Sequence, residues 1–186
     1  MGKILSEIDE RLREWITVQR MFFTATAPSG DGHINCSPKG CETFRIFDAK
    51  TVAYVDLTGS GIETIAHLKE NGRITVMFCA FEGAPRILRL YGEGIVVESG
   101  TNEFKELIDK FAPLSNEQMV SARAIIKVSV SRITDSCGYG VPLMKYEGER
   151  TQLSAWVQRK GSNGIAEYRQ QKNLQSIDGL PGLDQR

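Results

Sequence analysis

Residues 51–81 read TVAYVDLTGSGIETIAHLKENGRITVMFCAF, and the way this stretch divides decides the fold. An apolar, β-branched run (Thr51–Val55) predicts a strand. Asp56, Leu57 and the Thr58-Gly59-Ser60-Gly61 turn follow. Ile65, Ala66 and Leu68 then give the spacing of a short helix. Ser60 and Glu63 stand at the S-x-x-E spacing of a capping box, and Asn71-Gly72 supplies a left-handed stop. Residues 73–81 are apolar on both faces, which predicts a central strand.

The neighbouring segments repeat the strand signal. MFFTATA (21–27) and INCS (34–37) flank the turn PSGDGH, and ETFRIF (42–47) meets TVAYVDL through the tight link DAK. ILRLYGEGIVVE (87–98) is a long strand in which Gly92 and Gly94 predict a bulge or sharp bend. Phe104, Leu107, Ile108 and Phe111 mark a second helix that stops at Pro113, and ARAIIKVSVSRIT (122–134) is the last long strand. Ile4, Leu5, Ile8, Leu12, Trp15 and Ile16 predict an amphipathic first helix over residues 3–18. Many strands joined by hairpins, with only one or two helices inserted, exclude a parallel α/β sheet and favour a closed or split antiparallel barrel, which hides its edges.

From Cys137 the character changes. CGYGVPLMKYEGER is loop-like, helices are expected around Leu153–Val157 and over EYRQQKN, and the chain runs out in SIDGLPGLDQR. Two parts are therefore expected: a barrel domain over 1–136, and an extension over 137–186 too poor in apolar residues to fold alone, which must dock on the barrel or on another subunit.

Composition narrows the function. Of 186 residues, 23 are Lys or Arg and 23 are Asp or Glu, so the formal net charge is zero and the basic excess of a nucleic-acid binder is missing. No apolar run is long enough to span a membrane, and the N-terminus is too charged for a signal peptide, so the cytoplasm is expected. The cysteines Cys36, Cys41, Cys79 and Cys137 form no CxxC pair and read as buried, reduced thiols, and no metal is expected.

Two stretches carry candidate chemistry. Asn35–Gly40 (NCSPKG) places Lys39 beside the Ser37 hydroxyl and the Gly40 amide, either as an anion cradle or as a solvent-facing turn. The Thr58–Thr64 stretch offers hydroxyls and spare amides at a helix N-terminus, which suits a phosphate as well as a plain cap. Glu63 opposes an anion there unless its carboxylate turns aside. Arg73, Arg86 and Arg89 are further cations, with Arg86 and Arg89 expected on opposite faces of one strand. Tyr139 and Trp156 offer flat faces for stacking. His33 and His67 belong to no triad, and no paired carboxylates appear. Binding residues without an acid, base or nucleophile fit a protein whose chemistry belongs to a bound cofactor.

The order FFTATA, INCSPKG, TVAYVDLTGSGIETIAHLKENGRITVMFCAFEG, RILRLYGEGIVVE resembles the pyridoxamine 5'-phosphate oxidase superfamily of FMN-binding split barrels. The likeness runs from Met21 to Thr134 and is strongest to its FMN-binding branch, which the tail motifs CGYGVP and SIDGLPGL also resemble. It implies a mainly β fold, a six-stranded antiparallel split β-barrel with flanking helices, and a homodimer with FMN at the interface. Carried over, Lys39 is the phosphate cation, Ser37, Pro38 and Gly40 lie beside the flavin, Asp56 and Leu57 line the ring or ribityl chain, and Ser60, Gly61, Glu63 and Thr64 form the helix-start side of the phosphate site. Arg89 is a further contact. The resemblance implies an oxidoreductase passing a hydride between a small substrate and FMN. A non-catalytic flavin carrier and a haem- or deazaflavin-binding barrel are the alternatives. Oxidases that act on vitamin B6 phosphates carry an arginine-lysine pair where this chain has Glu63 and Thr64, and a C-terminal arginine-histidine signature where it has SIDGLPGL. These departures speak against vitamin B6 oxidation.

Overall fold

The computed structural model describes residues 2–184; Met1, Gln185, Arg186 and the side chain of Cys41 lie outside the described residues. Among the described residues eight strands form one antiparallel sheet: β1 (Lys3–Leu5), β2 (Met21–Thr26), β3 (Asn35–Gly40), β4 (Phe44–Ile46), β5 (Thr51–Leu57), β6 (Arg73–Cys79), β7 (Ile87–Glu98) and β8 (Ala122–Ser136). The order is β3-β2-β6-β7-β8-β5-β4, with β1 added along β8. The count of six implied by the resemblance is therefore too low: the seven strands read along the sequence all form, the short β4 within ETFRIF included, and β1 joins them. The sheet curls until its two ends face each other, and Phe22 on β2 packs 5.0 Å from Phe44 on β4. The ladder stops at β3 and β4, which makes the barrel a split one.

Alternation along β5 explains the layering. Val52 and Tyr54 point into the barrel with Phe22, Phe78, Leu88 and Ile126. Ala53 and Val55 point outward under helix α3 (Asn102–Ile108), where Phe104, Leu107 and Phe111 cover them. This doubly covered strand is the reason VAYV is apolar throughout. β6 is a central strand, as expected, between β2 and β7; it buries Ile74, Val76 and Phe78 in the barrel, while Thr75 and Met77 on its other face stay half-exposed.

Two further expectations are corrected, and one helix was not foreseen. Residues 3–5 form β1, paired Ile4 to Thr134, because the free edge of β8 offers a ladder there; helix α1 begins only at Glu10, capped by Asp9, and ends at Thr17. A short helix α4 (Asn116–Ser121) with a full Ser115–Gln118 capping box follows Pro113; its six residues are too few to show a periodic pattern in the sequence. Cys36 and Cys137 are exposed, Cys36 because it lies on the outward face of an edge strand, and among the described side chains Cys79 alone is a buried thiol; Cys41 lies outside them.

The Gly92 bulge is present. The β7–β8 register shifts between Tyr91 and Gly92, and a Cβ at Gly92 would overlap the Ser129 carbonyl. Helix α2 (Glu63–Asn71) ends on Gly72 at φ 71°, as the Asn-Gly pair requires. The extension carries helix α5 (Gln152–Lys172), broken at Gly161. Its end docks on the same chain: Lys69 Nζ donates to the Gly182 carbonyl at 2.6 Å, and Asp178 accepts from His33 N at 2.8 Å. No helix among the described residues is long and apolar enough to cross a membrane.

Candidate functional site

At the mouth of the barrel the split brings β3 against the end of β5. Lys39 Nζ donates to Asp56 Oδ1 at 2.6 Å, and Arg123 Nε, from the start of β8, donates to Asp56 Oδ2 at 2.7 Å. Asp56 is fully buried. Burial alone would raise its pKa, but the charges of Lys39 and Arg123 outweigh that and hold it at about 2. The triad holds two cations against one carboxylate, and only Lys39, with its side chain 21% exposed against 4% for Arg123, brings the surplus charge to the surface. One N–H of the ammonium is used by Asp56, which leaves two to donate.

Arg123 also organises the Thr58–Gly61 turn from behind. Its Nη1 and Nη2 donate to the carbonyls of Gly59 (3.1 Å) and Gly61 (2.7 Å). Asn173 Nδ2 donates to the Gly59 carbonyl at 2.9 Å, and Arg169 Nε to Thr58 Oγ1 at 2.8 Å. Burial, with a smaller contribution from the charge of Arg123, lowers the Arg169 pKa to about 10. The turn thus points its carbonyls inward onto cations, and its Gly59, Ser60 and Gly61 amides find no acceptor among the described residues.

The expected Ser60–Glu63 capping box does not form. The cap of α2 is Ile62, with no side-chain bond. Glu63 turns to the extension instead, where its Oε1 accepts from Ile177 N at 3.3 Å; its Oε2 would lie 2.8 Å from a Cβ at Gly61. A carboxylate therefore sits against the turn. Thr64 is buried and its hydroxyl accepts from Asn35 Nδ2 at 2.9 Å, while Ser37 Oγ donates to Asn35 Oδ1 at 2.8 Å.

The residues read from the sequence thus fall into two groups. Pro38, Lys39, Gly40 and Leu57 line a cleft of about 630 Å³ whose far wall is the segment Tyr146–Ser154 together with Ser115 and Gln118. Ser60, Gly61, Glu63 and Thr64 are not part of that cleft. Arg89 lies three strands from Pro38 in one cross-strand row, Pro38–Phe23–Met77–Arg89, which places it about 14 Å away at the usual strand spacing. Arg86 precedes β7 and pairs with Asp135, its Nη2 donating to Oδ2 at 2.8 Å. Sequence reasoning missed Arg123, Arg20 and Tyr146. Arg123 reads as one more charge at a strand start, and only the β5–β8 pairing aligns Ala124 with Asp56 and brings it into reach.

A split antiparallel barrel with a cation-bearing cleft beside its open seam defines the class of protein. The sequence profile of pyridoxamine 5'-phosphate oxidase matches residues 8–137, and the chain belongs to that family. It is 39% identical over 191 residues to the pyridoxamine 5'-phosphate oxidase family protein ustO of Aspergillus flavus, across 95% of this chain and 76% of that protein. Among solved structures, HupZ of Group A Streptococcus superposes with a TM-score of 0.52 at 22% identity, over 68% of this chain and 91% of that one. An FMN-binding protein from Syntrophomonas wolfei superposes with a TM-score of 0.50 at 16% identity, over 72% and 85%. At these identities the likeness to solved structures speaks for the fold alone.

Proposed function

We propose that this protein binds FMN in the cleft beside Lys39 and acts as a flavin-dependent oxidoreductase on a small molecule. The observation that carries the reading is the pairing of a surplus positive charge with a cleft of suitable size. About 630 Å³ lies within the range of cofactor and small-ligand pockets, and the cleft adjoins the one exposed cation of the Lys39–Asp56–Arg123 triad. These residues fit a flavin phosphate at Lys39. The α2 mouth fits one poorly, because the Glu63 carboxylate lies against it, so the phosphate is assigned to Lys39 rather than to Ser60, Gly61 and Thr64.

When bound, FMN supplies two-electron redox chemistry that the side chains lack. The chain's own part is positional. Asp56 and Arg123 hold the Lys39 ammonium in place, Pro38, Gly40 and Leu57 form one wall, and Tyr146–Ser154 cover the other side and limit water. Tyr146 donates its phenol to Glu149 at 2.6 Å; that bond, with partial desolvation and the Glu149 charge, raises its pKa.

The same reading carries a homodimer, supported by the half-exposed apolar residues Met21, Phe23, Met77, Ile87 and Tyr91 along the outer face of β2, β6 and β7. A cytoplasmic location belongs to the proposal too. Neither histidine lines the cleft, so the haem alternative gains no support from it. The absorption spectrum of the purified protein, followed by anaerobic reduction with a panel of donors, tests the proposal. Flavin bands that bleach with a donor and return with an acceptor are expected. Flavin bands that no donor bleaches would leave a carrier, and protein that neither carries nor takes up flavin would overturn the reading.

A further inference from the structure

Beside the cleft lies a second chamber of about 430 Å³, bounded by the α1–β2 turn, the β6–β7 turn and the extended segment 144–146. Its apolar wall comes from Val18, Met21, Phe81 and Met144, of which Val18 is 65% and Met144 54% exposed although each is a large hydrophobic side chain. Single exposed apolar residues need no explanation. Several from three separate segments around one concavity mark a place for an apolar ligand.

Arg20, Met21 and Tyr146 line both this chamber and the larger cleft, so they form the partition between them. The partition is held from two sides. The Arg20 guanidinium stacks 4.7 Å from the Tyr146 ring centroid, and the Tyr146 hydroxyl is held by Glu149. Beyond this ring contact, among the described residues Arg20 makes no ion pair and no side-chain hydrogen bond, so its N–H donors are unused. A planar fork of donors at the junction of an apolar chamber and a polar cleft matches a carboxylate.

We infer that the 430 Å³ chamber is a substrate subsite for a small amphipathic carboxylate, with its aliphatic or aromatic body against Val18, Phe81 and Met144 and its carboxylate on Arg20. That the ligand is a substrate rests on the flavin reading above; that the chamber binds it does not. The occupant's carboxylate end meets the partition and so faces the cleft.

The test is direct binding by calorimetry, with 3-phenylpropanoate and its uncharged amide as probes, alongside a separate FMN titration by flavin fluorescence. The acid is expected to bind wild-type protein at least about tenfold more tightly than the amide, the scale for one charge-assisted pair. Arg20→Gln should reduce that preference to near unity, and Arg20→Lys should restore part of it. Met144→Trp, at an exposed position that lines only the chamber, should abolish binding of both probes and leave the FMN titration unchanged. Equal affinity for acid and amide, no binding of either, or unchanged binding in Met144→Trp would each overturn the inference. Failure of FMN to bind while the acid still binds would instead count against the flavin reading and leave the subsite standing.

Discussion

Replacing Asp56 by asparagine isolates the charge at the centre of the site. The carboxylate lies between Lys39 Nζ at 2.6 Å and Arg123 Nε at 2.7 Å, fully buried. A carboxyl with an ordinary value of 3.8 that falls to about 2 in the folded protein contributes about 2 kcal/mol of stability when ionised. The folded value is depressed, so the contribution is fully present above about pH 4 and is lost as pH falls through about 2. The asparagine amide carries no charge at any pH and leaves two facing cations without their common partner. Urea unfolding of wild type and Asp56→Asn between pH 2 and pH 7 measures the difference. The variant should be less stable by at least about 2 kcal/mol at pH 7, and the gap should shrink steadily below pH 4. A gap that stays constant with pH would show that its cause is shape rather than charge, and a gap below about 0.5 kcal/mol would refute the triad's energetic role.

Lys39→Ala should weaken FMN binding by about 1.5–3 kcal/mol and riboflavin binding little, because only FMN carries the phosphate; equal losses in parallel fluorescence titrations would reject the phosphate assignment. Gly92→Ala should destabilise the fold by at least about 3 kcal/mol in urea, since the added carbon meets the Ser129 carbonyl rather than a movable side chain. Removing residues 174–186 takes away the Gly182, Asp178 and Ile177 contacts to Lys69, His33 and Glu63, and should lower the melting temperature by several degrees. In the same truncation, chain cleavage near Gly59–Gly61 by a protease should quicken, because Asn173, which donates to the Gly59 carbonyl, loses the Leu183 amide bound to its own carbonyl; an unchanged digestion pattern would argue that Arg123, Arg169 and Asn173 hold the turn unaided.

Much of the fold was legible in the sequence because period-two apolar alternation, turn glycines and hairpin lengths are local signals. Gly72 ends α2 and Gly92 bends β7, as their neighbours in the sequence required. The short strand β1 was not legible as such, since three residues carry no period and its existence depends on an edge to pair with, while β4 was legible only as part of the longer run ETFRIF, whose first two residues form a helical turn instead. The S-x-x-E spacing at Ser60 and Glu63 read as a cap, but the extension competes for Glu63 through Ile177, a residue more than a hundred positions away. Local chemistry permitted the box, and tertiary docking withdrew one of its two partners.

For the site, the sequence by itself determined that Lys39 stands by a strand end and that Asp56 precedes a glycine-rich turn. Only the tertiary structure decided that Lys39 and Asp56 are partners, that Arg123 completes the triad, and that Arg20 and Tyr146 divide two cavities. The reason is distance along the chain. Lys39, Asp56 and Arg123 come from β3, β5 and β8, and the β5–β8 register and the split of the barrel set their meeting. A residue's charge and size are written in the sequence, whereas the neighbour that neutralises the charge is fixed by how the sheet curls.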